Sequence, residues 1–376
     1  MNNSQDNYQF YINDIEPKQR VSIKDKAYLI IKEDISNFYG DKESESFSGF
    51  LNRIFTNYYE NANASIQRRY DEKKDELERI KLEQLCNSFS SDDQSSIKKF
   101  IKKYLDIYEM KIIEKVGIFK KEKDENKESF QFRINKENCN IISNSEEAKY
   151  YDGSCGLYFR AIFEEYASLP NFKREQIFFK PLFDSVNAAI EREKALKITI
   201  EKSKLDIKPR VFYLYPYRIV QDKTNTYNYI IGYSKEFFEG NREKTDQQEK
   251  IPACFRLSRI IKANVTDKGA HISQEKKKEL DDLMDKRDVM YMTGEVINIK
   301  VKFTDLGLEM FKRQLYMRPK YYEIEKNDKH CYVFSCTQLQ AINYFFKFGS
   351  EASILEPLEL RNLFKEKYEQ ALNVYK

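Results

Sequence analysis

The chain carries 65 basic and 61 acidic residues in 376, a net charge of +4, so it is no histone-like polycation and a nucleic-acid site must be a local concentration of cations. That length argues for two or three hydrophobic cores rather than one. No apolar run reaches the roughly 18 residues that cross a bilayer, and Met1-Asn-Asn-Ser-Gln lacks the charged-then-apolar opening of a signal peptide, so no membrane partner and a cytoplasmic location are expected.

Arg20-Val-Ser-Ile-Lys24 alternates polar and apolar as a short strand does, with Val21 and Ile23 toward a core and Arg20, Ser22 and Lys24 on the other face. Residues 25–38 then place Tyr28, Leu29, Ile31, Ile35 and Phe38 at helical spacing, ended by Gly40 and a polar run. Ser46 can cap a second helix whose Phe47, Phe50, Leu51, Ile54, Phe55 and Tyr58 fall on one stripe. A lone strand must pair to satisfy its backbone. One candidate partner lies in the same chain, where 130–135 reads as a strand, 136–143 as a short helix and 156–169 as a longer one. Aligned without gaps, 49–59 and 156–166 share their glycine, arginine and final tyrosine. The other candidate is the same strand of a second copy.

Between these halves Ile97, Phe100, Ile101, Tyr104, Leu105 and Tyr108 repeat at helix spacing, with Lys98, Lys99, Lys102 and Lys103 opposite them, a solvated face or a phosphate contact. Residues 120–129 and 239–250 read as exposed loops. A helical pattern over 172–194 gives way at Ile198 to a strand-rich region that runs to Ile261 and is expected to close into a barrel. A charged helix follows at 273–287. The remainder reads as strand 295–303, helix 305–314, strands 321–325 and 331–335, helix 338–348 ended by Gly349, strand 352–355, and a last helix opened by Pro357, an order that makes a ferredoxin-like sheet. The expected domains are 1–66, a helical connector and loop 67–128, a second half-module 129–170, helix plus barrel 171–265, a helical linker 266–289 and a C-terminal domain 290–376, an α+β multidomain chain.

Little of this is catalytic in pattern. There is no P-loop, no Gly-x-Gly-x-x-Gly and no Gly-x-Ser-x-Gly, and the acidic pairs Asp281-Asp282 and Glu164-Glu165 sit on helices among basic residues. Cys86, Cys139, Cys155, Cys254, Cys331 and Cys336 show no Cys-x-x-Cys spacing and have only His271 and His330 to join them. Reduced thiols, no metal, no cofactor and no enzymatic activity are expected.

The charge concentrates between positions 197 and 223, where seven basic residues face three acidic ones, an excess equal to that of the whole chain. Interleaved with it are Tyr213, Tyr215 and Tyr217, which share a strand face that excludes Arg218 unless the strand bends at Pro216. Tyr213 and Tyr215 either pack the barrel or meet bases. In Phe255-Arg-Leu-Ser-Arg259, Phe255 and Leu257 should face the core, Arg256 and Ser258 outward, and Arg259 a buried ion pair.

The succession Val211-Phe-Tyr-Leu-Tyr-Pro-Tyr-Arg-Ile-Val220, Thr226-Tyr-Asn-Tyr-Ile-Ile-Gly-Tyr233 and Cys254-Phe-Arg-Leu-Ser-Arg-Ile260 resembles a WYL domain. Asn228-Tyr229-Ile230 stands where the family has Trp-Tyr-Leu, and Ser258 where it has an acid. The resemblance implies a small SH3/Sm-like β-barrel that presents basic and aromatic side chains to an anionic ligand, followed by the ferredoxin-like extension. The strand-helix-helix front resembles a ribbon-helix-helix module, and the combination resembles the accessory proteins of type VI-D CRISPR systems. It therefore implies a homodimer that binds single-stranded RNA and assists an RNA-guided, RNA-cutting effector nuclease. Candidate RNA contacts are Lys202, Lys204, Arg210, Tyr217, Arg218, Tyr229, Arg256 and Arg259. The alternative is a transcriptional regulator that sets Arg20, Ser22 and Lys24 into the major groove of duplex DNA and senses a ligand with the barrel. A third reading is a scaffold that dimerises through its C-terminal sheet.

Overall fold

A computed structural model describes residues 10, 17–39, 46–86, 94–107, 127–151, 153–201, 209–222, 224, 226–238, 245, 247–326 and 328–375. The chain divides into two compact units, Met1–Lys180 and Pro181–Lys376. Among the described residues no helix is long and apolar enough to cross a membrane.

In the first unit β1 (Lys18–Lys24) pairs antiparallel with β2 (Lys127–Arg133), Arg20 opposite Gln131 and Ser22 opposite Ser129. The partner strand is therefore in the same chain. Alternation works as expected on β1, with Val21 and Ile23 fully buried. Behind the ribbon lie α1 (Asp25–Tyr39), α2 (Phe47–Cys86), α4 (Lys136–Ser143) and α5 (Cys155–Ser168), and α3 (Gln94–Ile107) packs on α2. Phe50, Ile54, Phe55, Tyr158, Phe159, Ile162 and Phe163 fill the space between them. Gly156 opens α5 against β1, where an added Cβ would sit 2.7 Å from the Arg20 carbonyl oxygen. Only glycine lets the helix lie so close.

Two features depart from the apolar pattern. Leu29, expected on the stripe of α1, is 66% exposed, whereas Asp34 of the same helix is fully buried. Phe100 of α3 is likewise exposed while Ile101 is buried, and Lys98, Lys99 and Lys103 face solvent. The span 171–265 is also divided by the structure. Helix α6 (Asn171–Phe178) belongs to the first unit, with Phe178 in its core.

The second unit opens with α7 (Lys180–Glu191) and a five-stranded antiparallel sheet in the order β6-β5-β4-β3-β7. Its strands are β3 (Lys194–Ile200), β4 (Arg210–Gln221), β5 (Asn228–Glu236), β6 (Ile251–Arg256) and β7 (Ile260–Gly269). A single 3-10 turn, Leu257–Arg259, joins the two edge strands. Leu196, Ile198, Leu214, Ile230 and Ala253 line one face. Helix α8 (Gln274–Lys286) covers the other, packing Leu280 and Met284 on Tyr215, Tyr229, Ile231 and Tyr233.

A second sheet orders β11-β8-β10-β9, all antiparallel: β8 (Val296–Phe303), β9 (Lys320–Ile324), β10 (Cys331–Thr337) and β11 (Ala352–Glu356). Ile299, Val301, Phe303 and Phe334 share a core with Phe311 of α9 (Asp305–Arg313), Phe345 of α10 (Gln338–Phe345) and Phe364 of α11 (Leu358–Asn373). The helix expected to run to 348 ends at Phe345. It continues as a 3-10 segment, Phe346–Glu351, within which Gly349 takes φ +58° instead of capping the helix end.

Candidate nucleic-acid interface

The α8 face owes its character to an interruption in β4. Tyr215 pairs with Tyr233 and Pro216 with Gly232, but the next pair is Arg218 with Ile231, so Tyr217 is an extra residue. Pro216 has no N–H to give to the ladder, which makes this the cheapest place for a bulge. Gly232 accommodates it, since a Cβ there would overlap the Tyr215 carbonyl oxygen. By strict alternation Tyr215 and Arg218 lie on opposite faces. The bulge puts Arg218 on the α8 face beside Tyr217 and Tyr215.

There both side chains meet Asp281 of α8. The Tyr217 hydroxyl donates to Oδ2 at 3.2 Å and Arg218 Nη2 lies 2.9 Å from Oδ1, with its guanidinium 5.3 Å from the Tyr217 ring centre. Burial and the Asp281 carboxylate raise the Tyr217 pKa above the ordinary phenol value. Arg218 is 44% exposed and Asp281 39%, but Asp281 Oδ1 itself is buried and accepts no hydrogen bond, so the contact is an ion pair at a partly open edge.

Arg256 lies on the same face, half-buried as Phe255 is on the other, with its guanidinium 3.2 Å from the ring centre of Tyr227 and Nε donating to Ser258 Oγ at 2.7 Å. From Arg218 to Arg256 is two strand spacings and one two-residue step, about 12 Å. Two guanidinium-tyrosine pairs thus share one sheet face.

The other expected contacts are placed differently. Tyr229 is 8% exposed in the core under α8, so its ring does not reach the surface. Arg259 is not in a buried pair: strand geometry stops at Arg256, parity lapses in the 3-10 turn, and Arg259 is half exposed, 3.7 Å from Glu201. Phe255 is only half-buried, against Phe212, while Leu257 is fully buried. Arg210 lies on the face away from α8, where Nε and Nη2 grip Glu236 at 2.9 and 3.0 Å. Lys202 and Lys204 lie outside the described residues. Tyr215 and Tyr213 do pack, but toward the α8 side rather than the opposite face.

Arg20, Ser22 and Lys24 do share the outward face of the ribbon. Across from them stand Gln131, Ser129 and Lys127, with Lys18 opposite Arg133 at the end. Five cations and no carboxylate occupy that face by register. Ser22 and Ser129 hydroxyls are 2.6 Å apart, and the Lys24 N–H donates to Glu164.

Beyond Lys197, which opens the basic stretch already noted, sequence reasoning missed a row of lysines at the other end of the α8 face: Lys235, Lys250, Lys268 and Lys276. Their legible signal is Tyr233-x-Lys235, a ring and a cation on one strand face. Burial, with the Asp288 charge adding, pushes the Cys254 thiol up to about 12, and among the described residues no cluster of three metal-ligating side chains occurs.

No family model and no curated protein matches the sequence. Among solved structures, a chain described as the crystal structure of a CRISPR Cas-related protein is similar over 98% of this chain and 97% of its own, with a TM-score of 0.68 and 22% identity. This is a likeness of fold. Proteasome accessory factor B/C (PafBC) of Arthrobacter aurescens aligns over 66% of this chain and 37% of its own, with 14% identity and a TM-score of 0.30, which carries no argument.

Proposed function

We propose that this protein is a non-catalytic accessory of a CRISPR system that binds single-stranded RNA beside α8, at the Arg218 and Arg256 end of its five-stranded sheet. The observation that carries the reading is the pair of guanidinium-tyrosine contacts, Arg256 on Tyr227 and Arg218 on Tyr217, on one face with the two arginine Cα positions about 12 Å apart. Single-stranded nucleic acid needs cations for its backbone and flat rings for its bases, and both are supplied together. The structural neighbour, a CRISPR Cas-related protein, supports the CRISPR setting. We read the five-stranded sheet, with its edge strands joined by one turn, as the Sm-like barrel of a WYL domain. The β11-β8-β10-β9 sheet is read as its ferredoxin-like extension and the first unit as a ribbon-helix-helix pair fused in one chain. A homodimer and an RNA-guided nuclease partner belong to the same reading.

Titration of labelled single- and double-stranded RNA and DNA at two salt concentrations tests it. Single-stranded RNA should bind best, log affinity should fall by about 0.7 per neutralised phosphate with log salt, and Arg256→Ala should weaken binding about tenfold, or about 1.4 kcal/mol. RNA affinity left unchanged by folded Arg256→Ala and Arg218→Ala variants would remove the assignment.

A second reading has its own observation, the five-cation face of a ribbon completed within one chain. A two-stranded ribbon fits the major groove of duplex DNA, with the barrel as ligand sensor. Preferential binding of the protein's own promoter duplex over random duplex, lost in Arg20→Ala, is its signature.

A further inference from the structure

At the end of the α8 face away from Arg256, β5 carries Lys235 opposite Tyr213 and Tyr233 opposite Tyr215. Ile251 pairs with Ser234, which brings Lys250, just before β6, beside Lys235. Lys250 holds its ammonium 3.7 Å from the centre of the Tyr215 ring. From the first turn of α8, Lys276 reaches to 5.1 Å from the centre of the Tyr233 ring. Lys268 and Lys197 flank them, 3.9 Å from the centre of Tyr213 and 3.8 Å from that of Phe237.

Three features set this group apart from a solvated charged surface. Lys250 lies within the field of both other ammonium groups: it is held below the ordinary lysine pKa by burial first and then by the charges of Lys276 and Lys235. Among the described residues neither Lys250 nor Lys276 is in an ion pair, and the nearby Glu279 carboxylate accepts the Tyr233 hydroxyl at 2.6 Å. The positive end of the α8 dipole adds to the same field. Like charges brought together cost stability, and an anion that enters among them recovers it. Lysine is a compact point charge suited to phosphoryl oxygens, whereas carboxylates more often recruit the fork of arginine.

We propose that Lys250 and Lys276, seated on Tyr215 and Tyr233, form with Lys235 a binding site for a phosphoryl group, supplied either by a free nucleotide or polyphosphate or by the backbone of a nucleic acid. The site is distinct from the guanidinium-tyrosine pairs and does not require that they bind RNA.

The test uses full-length protein, its Lys250→Gln and Lys276→Gln variants and the double variant, with pyrophosphate by calorimetry, a labelled uridine decamer by fluorescence anisotropy, and thermal melting. The double variant should lose at least tenfold in affinity for one probe while its melting temperature holds or rises, because repulsion is relieved. Loss of pyrophosphate binding identifies a free polyphosphate as the ligand. Loss confined to the decamer, with the salt slope falling by about 0.7 per phosphate contact removed, identifies a nucleic-acid backbone. Lys250→Arg should retain binding. Wild-type protein that takes up neither probe, or a double variant that binds both as wild type does, overturns the proposal. So does a double variant that melts lower with binding intact, since the lysines then only stabilise the rings beneath them. Decamer binding that depends on Arg256 and not on these lysines overturns this site and leaves the other reading standing.

Discussion

Arg174 and Arg218 each pair with an aspartate that also accepts a tyrosine hydroxyl, yet one pair is architecture and the other lies at a partly open surface. In the first unit Arg174 Nε and Nη2 grip Asp34 at 2.6 and 3.0 Å, Nη1 donates to the Leu169 carbonyl at 2.6 Å, and the Tyr166 hydroxyl donates to Asp34 Oδ2 at 2.9 Å. Asp34 is fully buried and Arg174 nearly so. Burial alone would lower the Arg174 pKa, but the Asp34 bond and charge outweigh it and raise it. Every strong donor and acceptor there has a partner inside the protein. In the second unit Arg218 touches Asp281 through one nitrogen, with both side chains more than a third exposed. A charge satisfied inside the fold holds the fold, and a charge held loosely at the surface can be exchanged for a ligand.

The largest break in this comparison should come from Arg174→Met. It leaves Asp34 buried without a countercharge, and a loss of about 3 to 5 kcal/mol in denaturant unfolding is expected. Pairing it with Asp34→Leu should recover a substantial part of that loss, which separates the unpaired charge from lost packing. Gly232→Ala comes next. Its methyl would press on the Tyr215 carbonyl at the bulge, for a cost of about 1 to 3 kcal/mol by the same measurement. RNA affinity should fall with it if the bulge positions Arg218. Asp281→Asn should sharpen the contrast from the other side. Freed from a half-exposed pair worth at most about 1 kcal/mol, Arg218 should bind RNA up to about fivefold more tightly. The smallest effect belongs to Arg210→Ala. Its fork to Glu236 is at the surface and away from α8, so unfolding should change by less than about 1 kcal/mol and RNA affinity should not change.

Where local periodicity decides structure, the elements could be read directly. Val21 and Ile23 alternate, and they are buried. The run from 296 to 373 keeps its order of strands and helices because each element carries its own apolar stripe and punctuation. Where one extra residue decides, reading failed. The side-chain period of a strand is two, so the bulge at Tyr217 moves Arg218 to the other face, and the 3-10 turn after Arg256 takes Arg259 out of register. Pro216 marked the place where such a break could occur without showing that it did. Asp34 and Arg174 are 140 positions apart, and nothing local announces that either is buried.

From the sequence alone came the order of strands and helices and the want of catalytic motifs, because each depends on residues within one element. Tertiary structure decided the rest. It chose β2 of the same chain as the partner of β1, buried Tyr229 under α8, brought Tyr217 and Arg218 onto one carboxylate, and gathered Lys235, Lys250 and Lys276 from a strand, a loop and a helix. Those outcomes depend on which surfaces meet across long separations, and the free energy of such contacts is set by burial and by neighbouring charge rather than by spacing along the chain.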